Sequence, residues 1–150
     1  MCMEHKIACT CGKNSAGFQM KDSLLPVEAV RRLFCPACSA QTTFDPGSML
    51  SDNGWIIEYD MDMARFMLQK ITAAGSISPE FLFDEGYCTW QGVYPNDGID
   101  SVREREELVK LSKTDRKRYF EEFRNWGVKR MERLAREGWR KAHEGEKVPV

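Results

Sequence analysis

Histidine is scarce in this chain, and long hydrophobic runs are missing from it. Its 150 residues include only two histidines, His5 and His143. Neither stands in a recognisable arrangement with a nucleophile, which argues against a hydrolase. No stretch approaches the roughly 18 consecutive apolar residues of a transmembrane helix. The first residues lack the apolar segment and cleavage site of a secretory signal, so we expect a cytoplasmic protein.

Catalytic motifs and a strong net charge are missing as well. We find no phosphate-binding loop, metalloprotease helix motif or nucleophile elbow, which favours a protein that is not an enzyme. The formal net charge is −1 and provides no overall attraction to nucleic acid. Residues 76–100 nevertheless hold five acidic and no basic side chains, whereas residues 101–150 hold fifteen basic and ten acidic ones. This asymmetry indicates partners or self-association.

Cysteine is the residue type that stands out, since four of the six cysteines form two close pairs. One residue separates Cys9 from Cys11, two separate Cys35 from Cys38, and twenty-three lie between the pairs. In a reducing compartment, such pairs predict a metal site rather than disulfides. Four thiolates complete the tetrahedral shell of Zn²⁺ and leave no open position. We therefore expect one structural zinc ion.

The segments around these pairs resemble a zinc ribbon of the kind found in small prokaryotic proteins. The resemblance rests on Ile7 to Lys13 and Phe34 to Ser39, and it covers about residues 5–46. Ribbons commonly carry two Cys-x-x-Cys knuckles followed by Gly, whereas here the first knuckle is Cys-x-Cys and Ser39 follows the second. The resemblance implies a small metal-stabilised β-structure. Zinc ribbons serve transcription factors, RNA-modifying enzymes, ribosomal proteins and adaptors, so it does not define one activity.

Other uses of the cysteines stay open. Cys35 and Cys38 have the spacing of a thiol-disulfide redox pair, although a strand is predicted after them at residues 42–44 instead of the helix that lowers a thiol pKa. Iron or an iron–sulfur centre is a further alternative. Cys2 and His5 form a Cys-x-x-His spacing and are reserve ligands. Cys88 fits a small buried hydrophobic residue.

The hydrophobic pattern predicts an α+β protein with two regions. Residues 1–59 are predicted to form the zinc ribbon and a small antiparallel sheet. Alternating residues Phe18 and Met20 indicate one strand, and a brief helical turn is expected at residues 26–32. Another strand is expected at Trp55–Tyr59, after an Asn-Gly turn. Because so small a sheet has little core, we expect that losing the metal would unfold it.

Residues 60–150 are predicted to be helical. Short helices begin near Asp60 and Ser78, both favourable capping residues, and an ordered apolar loop follows through residue 94. A helix capped by Asp100 or Ser101 should direct three apolar side chains inward, namely Val102, Leu108 and Leu111. A long amphipathic helix runs from Asp115 to about Ala142. Its two glycines, Gly127 and Gly138, indicate close packing or a bend.

The predicted function is that of a non-catalytic zinc-binding protein that acts as an interaction or regulatory module for a protein partner. The first alternative is nucleic-acid binding through the basic face of the last helix, formed by Lys129, Arg133, Arg136 and Arg140. Glutamates three and four residues from these bases are typical of a solvated helix face. The second alternative is redox chemistry at Cys35 and Cys38. The apolar stripe of the same helix also favours a homodimer.

Overall fold

A computed structural model describes residues 2–21 and 23–142, without the side chains of residues 2–4 and 74. It has the α+β fold expected from the sequence. In chain order the elements are β1 (Cys2–Ala8), β2 (Ser15–Lys21), β3 (Val30–Phe34), α1 (Pro36–Ser39), β4 (Met49–Asp52), β5 (Trp55–Tyr59), α2 (Met61–Leu68), α3 (Pro79–Asp84), β6 (Cys88–Trp90), α4 (Asp97–Ser112) and α5 (Arg116–Glu137).

The chain divides into two compact units, Met1–Gln91 and Gly92–Val150. The first unit holds all the strands and the three short helices, and the second holds α4 and α5. This division lies further along the chain than residue 59, and the domain boundary predicted there remains a prediction. Within residues 2–21 and 23–142, no helix combines the length and hydropathy that a membrane crossing requires.

The first unit contains two antiparallel sheets of three strands. One has the order β1-β2-β6 and the other the order β3-β5-β4. The β1–β2 hairpin pairs seven residues on each strand, and its tip at residues 9–14 carries the first cysteine pair. The second pair follows β3 directly, at the start of α1. Each sheet therefore contributes one pair.

A fully buried tryptophan joins the two sheets. The Trp90 ring in β6 lies 5.1 Å from Phe18 in β2 and 6.0 Å from Trp55 in β5, measured between ring centroids. Its indole Nε1 donates a hydrogen bond of 2.7 Å to the buried Asp52 carboxylate in β4. The Tyr59 hydroxyl donates in the opposite direction, to the Cys88 carbonyl at 2.8 Å. This unit thus has a hydrophobic core of its own besides the cysteines.

Several local predictions for this unit are confirmed and others are wrong. The strand Trp55–Tyr59 forms as expected, and Asp60 and Ser78 cap α2 and α3 by accepting hydrogen bonds from Met63 N and Phe81 N. The helical turn expected at residues 26–32 shrinks to a 3₁₀ turn at Val27–Ala29, because Val30 onward pairs with β5. Residues 42–44 form no strand, and the loop expected after α3 contains strand β6.

The second unit is a helical hairpin. Asp115, where the sequence predicts the last helix to begin, caps α5 by accepting a hydrogen bond from Arg118 N at 3.1 Å. Between the helices, Arg130 forms an ion pair with Asp97, whose side chain is only 6% exposed. Arg133 lies 3.5 Å from Glu104, and Trp126 Nε1 donates to the same glutamate at 2.9 Å. Polar contacts thus fix how these two helices meet, and breaking one partner would leave a buried charge unpaired.

Four predictions for this hairpin need correction. The first helix begins at Asp97 rather than near residue 100, and Val102 is 46% exposed rather than inward. The last helix ends at Glu137, where Gly138 takes a left-handed conformation with φ of 95° and acts as the C-cap. At Gly127, an added Cβ would meet no atom within 4 Å, so this glycine marks no close approach of another element.

Two glycine substitutions in this unit should have opposite effects on stability. Gly92 has a φ of 102°, and an added Cβ would collide with the Asp97 carboxylate, so Gly92→Ala should destabilise the unit by about 2 kcal/mol. Gly127→Ala should stabilise it by about 0.5–1 kcal/mol, because alanine has the higher helix propensity. Urea unfolding followed by the helical circular-dichroism signal measures both changes. Two changes of the same sign would contradict this description of the hairpin.

Candidate metal centre

The first cysteine pair lies in the tight loop of the β1–β2 hairpin. Cys9 N donates to Asn14 O at 2.7 Å, and Gly12 N donates to Cys9 O at 2.8 Å, so the loop folds back on itself. Lys13 N points to the Cys11 sulfur at 3.4 Å. The short Cys-x-Cys spacing is therefore accommodated by one compact turn.

The second pair lies where β3 passes into the one-turn helix α1. Cys35 is the N-cap residue, Pro36 occupies the first helical turn, and Ser39 N donates to Cys35 O at 2.8 Å. The Ser39 hydroxyl donates to Gly54 O at 2.6 Å. This bond ties the knuckle to the turn between β4 and β5, which gives Ser39 a structural role at the position where ribbons commonly have glycine.

Backbone hydrogen bonds hold the two pairs against each other. Thr10 N donates to Leu33 O at 3.0 Å, which joins the hairpin loop to β3. Cys35 N donates to the Cys9 sulfur at 3.1 Å. An N–H group that points at sulfur stabilises the thiolate over the thiol. The backbone therefore favours negative sulfur at this position before any metal is considered.

The four sulfur atoms form a compact cluster. All four Sγ atoms lie within 4.8 Å of one another, with 3.5 Å from Cys9 to Cys38 and 4.0 Å from Cys11 to Cys35. Sulfurs placed about 2.3 Å from a tetrahedral zinc ion are about 3.8 Å apart, so the two printed separations lie on either side of that value. A disulfide would need about 2.05 Å. The four cysteines are free thiols.

Ionisation within the cluster is uneven. Burial opposes the ionisation of Cys9, but hydrogen bonds from the backbone of Cys11 and Cys35 keep its pKa below the ordinary value. A backbone hydrogen bond from Cys38 is the main cause that lowers the pKa of Cys35 to about 6. The pKa of Cys38 is raised to about 12, first because of its hydrogen bond with Cys9. The cluster thus holds both thiolate and thiol groups, and a divalent cation that bound all four sulfurs would release the remaining protons.

The cluster has an apolar wall and one open side. Cys9 and Cys35 are 4% and 1% exposed, Cys38 is half-buried, and Cys11 is exposed. Cys38 packs against a buried cluster of Phe34, Met49 and Ile56, which belong to β3, β4 and β5. An ion held here would be shielded on the sheet side and would be reached from the hairpin loop.

The remaining candidate ligands lie outside the cluster. His5 is in the middle of β1, paired with Phe18, and is not among the clustered ligand atoms. The side chain of Cys2 and the whole of His143 lie outside the described residues. Cys88 is fully buried in β6, and this burial raises its pKa, as suits a hydrophobic thiol.

The predicted basic face of the last helix is partly occupied by ion pairs. Arg133 lies 3.5 Å from Glu104 and 3.9 Å from Glu137. Lys129 and Arg136 line a shallow groove of about 400 Å³ together with Trp126 and Glu132. Arg140, beyond the end of α5, also has an interaction partner. Acidic neighbours thus offset the positive charge of Arg133.

No family model, curated protein or solved structure matches this chain. The resemblance to zinc ribbons therefore has no support beyond the cysteine spacing and the local geometry. What the chain can do chemically has to be argued from the cluster itself. Four converging sulfur ligands at these distances suggest a metal site.

Proposed function

We propose that this is a non-catalytic zinc-binding protein in which Cys9, Cys11, Cys35 and Cys38 hold one structural Zn²⁺ ion. The observation that carries this proposal is the convergence of four sulfur atoms within 4.8 Å. The donor set of four thiolates suits zinc, since Mg²⁺ and Ca²⁺ require oxygen ligands. Four protein ligands complete the tetrahedral shell and leave no position for water or substrate.

The metal's role in this proposal is to connect the two sheets at their edge. One ligand pair belongs to the β1–β2 hairpin and the other follows β3, so the ion would crosslink segments separated by more than twenty residues. Such a crosslink restricts the unfolded chain and adds its binding free energy to folding. Iron stays an alternative with the same ligands, and elemental analysis distinguishes the two metals.

Cobalt substitution tests whether the shell is closed. Co²⁺ bound by four thiolates should show intense visible absorption, and added imidazole should leave that spectrum unchanged because no coordination position is open. Cys88→Ala is the matched control, since Cys88 lies outside the cluster, and its cobalt spectrum should equal that of the wild type. A spectrum that imidazole shifts would indicate an open position and would overturn the structural role.

We also propose that the protein acts as an interaction module for a protein partner, and apolar side chains at the surface of the first unit support this role. Phe66 and Met67 in α2 are 69% and 41% exposed, and Ile71 shortly after the helix is 50% exposed. Large contiguous apolar patches are typical of surfaces that bind other proteins, and these three exposed side chains lie on one short segment of the chain. The prediction specifies only that the partner is a protein.

The two alternatives predict different outcomes in solution. If the last helix bound nucleic acid, affinity would fall steeply with salt, and Lys129→Gln with Arg136→Gln would weaken it further. If Cys35 and Cys38 were a redox pair, the protein would contain little metal and would form a reversible disulfide. The redox alternative does fit one local feature, because Cys35 follows a strand and precedes a helix. That helix is only four residues long, so its dipole is small.

A further inference from the structure

The helical hairpin buries little of its own apolar surface. Of the residues in α4 only Asp97 is fully buried, and in α5 only Leu134. Two helices of 16 and 22 residues normally need a further layer to cover their apolar stripes. The polar contacts around Asp97 and Glu104 fix how the two helices meet, but they do not supply that layer.

The uncovered surface is a groove between α4 and α5 near the end of the hairpin. It has a volume of about 620 Å³, and its apolar lining comes from Val102 and Val109 on one helix and Tyr119 and Phe123 on the other. Val102, Val109 and Phe123 are 46%, 47% and 38% exposed. Val102 and Val109 are seven residues apart and therefore lie on one face of α4.

Aromatic rings extend this surface along α5. Tyr119 lies 5.4 Å from Phe120 and 5.9 Å from Phe123, measured between ring centroids, and Phe120 is 61% exposed. The exposed Phe120 ring therefore adds apolar area to a contact made through the groove.

The charges in the groove favour a second copy of the same chain as its occupant. Arg105 and Lys110 line it together with Glu106, so it carries both signs. Lys110 pairs with Glu107 at 3.2 Å, whereas Glu106 has no ion-pair partner among the described residues. In a two-fold contact each patch faces itself, so a basic and an acidic residue side by side can pair across the axis. A strongly basic partner would repel Arg105 and Lys110, and a strongly acidic partner would repel Glu106.

We propose that the groove formed by Val102, Val109, Tyr119 and Phe123 binds the same groove of a second chain, so that two hairpins form a four-helix dimer. Arg105 of one protomer faces Glu106 of its partner in this arrangement. The interface uses no cysteine of the metal centre, so the proposal does not depend on the metal.

The experiment is sedimentation of the full chain over a wide range of protein concentrations. The wild type should sediment as a species of about twice the 17.3 kDa of one chain. Val109→Glu should raise the dissociation constant of the dimer at least about tenfold, since it places a charge in the apolar groove. Val128→Glu is the matched control: Val128 is 54% exposed on α5 but does not line the groove, so this variant should remain a dimer.

A charge exchange tests the same contact without altering its apolar part. Glu106→Arg alone should weaken the dimer, and Arg105→Glu combined with Glu106→Arg should restore it. A wild type that stays monomeric at every concentration would overturn the proposal, and so would a dimer that Val109→Glu leaves intact. Equal weakening by Val109→Glu and Val128→Glu would overturn it too, because the effect would then not belong to the groove. A helical signal equal to that of the wild type confirms that each variant is folded.

Discussion

Cys35→Ser is expected to release the metal and to lower the free energy of unfolding of the first unit by about 4 kcal/mol or more. Cys35 is 1% exposed, and its sulfur belongs to the cluster while its backbone N–H holds the Cys9 sulfur. Serine at this position offers a poor ligand for zinc and leaves three thiolates without a complete shell. Thermal unfolding should show a midpoint lowered by roughly 20 °C.

The expected loss is partial because the first unit also has a hydrophobic core. This core includes the buried side chains of Trp90, Phe18 and Tyr59. None of them belongs to the buried cluster beside the cysteines, which consists of Phe34, Met49 and Ile56. Cys88→Ala is the control, since it removes a buried thiol that is no part of the cluster. It should cost about 1 kcal/mol and keep the metal. Equal destabilisation by both substitutions would mean that Cys35 acts through packing alone.

Trp90→Ala is the second large expected effect, with a loss of about 5 kcal/mol. Its ring contacts Phe18 in one sheet and Trp55 in the other, and removal leaves a cavity between the sheets. The Asp52 carboxylate also loses its 2.7 Å hydrogen bond from the indole while it remains 3% exposed. A buried carboxylate that loses a donor adds to the cavity term. Urea unfolding of the full chain measures the total.

Trp90→Phe separates these two contributions. Phenylalanine keeps most of the ring contacts and removes the hydrogen bond to Asp52, so we expect a loss of about 2 kcal/mol. If Trp90→Phe proves as damaging as Trp90→Ala, the hydrogen bond dominates and the packing argument is wrong. If Trp90→Ala costs less than about 2 kcal/mol, Trp90 does not join the two sheets as described.

The cysteine cluster is the part of the candidate site that the sequence predicts best. Ligands of a tetrahedral ion must come close together whatever the surrounding fold, so paired cysteines already indicate that Cys9 and Cys38 will meet. The structure brings all four together as the spacing predicts. Capping residues such as Asp60 and Asp115 can also be predicted from the sequence, because a cap depends on neighbours within four residues.

Pairing between distant segments is what the sequence does not predict. Strand β6 has only three residues, and it forms because Phe18 and Met20 lie opposite Trp90 and Cys88, about seventy residues away. Val30 becomes extended for a similar reason, since pairing with Tyr59 overrides the local helical signal that precedes it. The alternation of Phe18 and Met20 in the sequence predicts strand β2, but no local feature indicates which strand completes its sheet.

The sequence also does not predict which face of each helix becomes covered. The apolar character of Val102 predicts that it faces inward. In the structure it lies on the groove side of α4 and is 46% exposed. Periodicity identifies a stripe, but it does not say whether the same chain or another one covers it. The proposed dimer is one answer for this stripe, and it explains why an apolar residue remains at the surface.

The measurement that tests the central claim most directly is the metal content of protein purified without oxygen, measured with a count of free thiols. The cysteine cluster predicts one zinc ion per chain, bound by the wild type and lost in a Cys35→Ser, Cys38→Ser double variant. Elemental analysis without zinc or another metal, together with a titratable Cys35–Cys38 disulfide and an intact fold, would contradict the structural zinc centre. A thiol oxidoreductase would then be the better description of the protein.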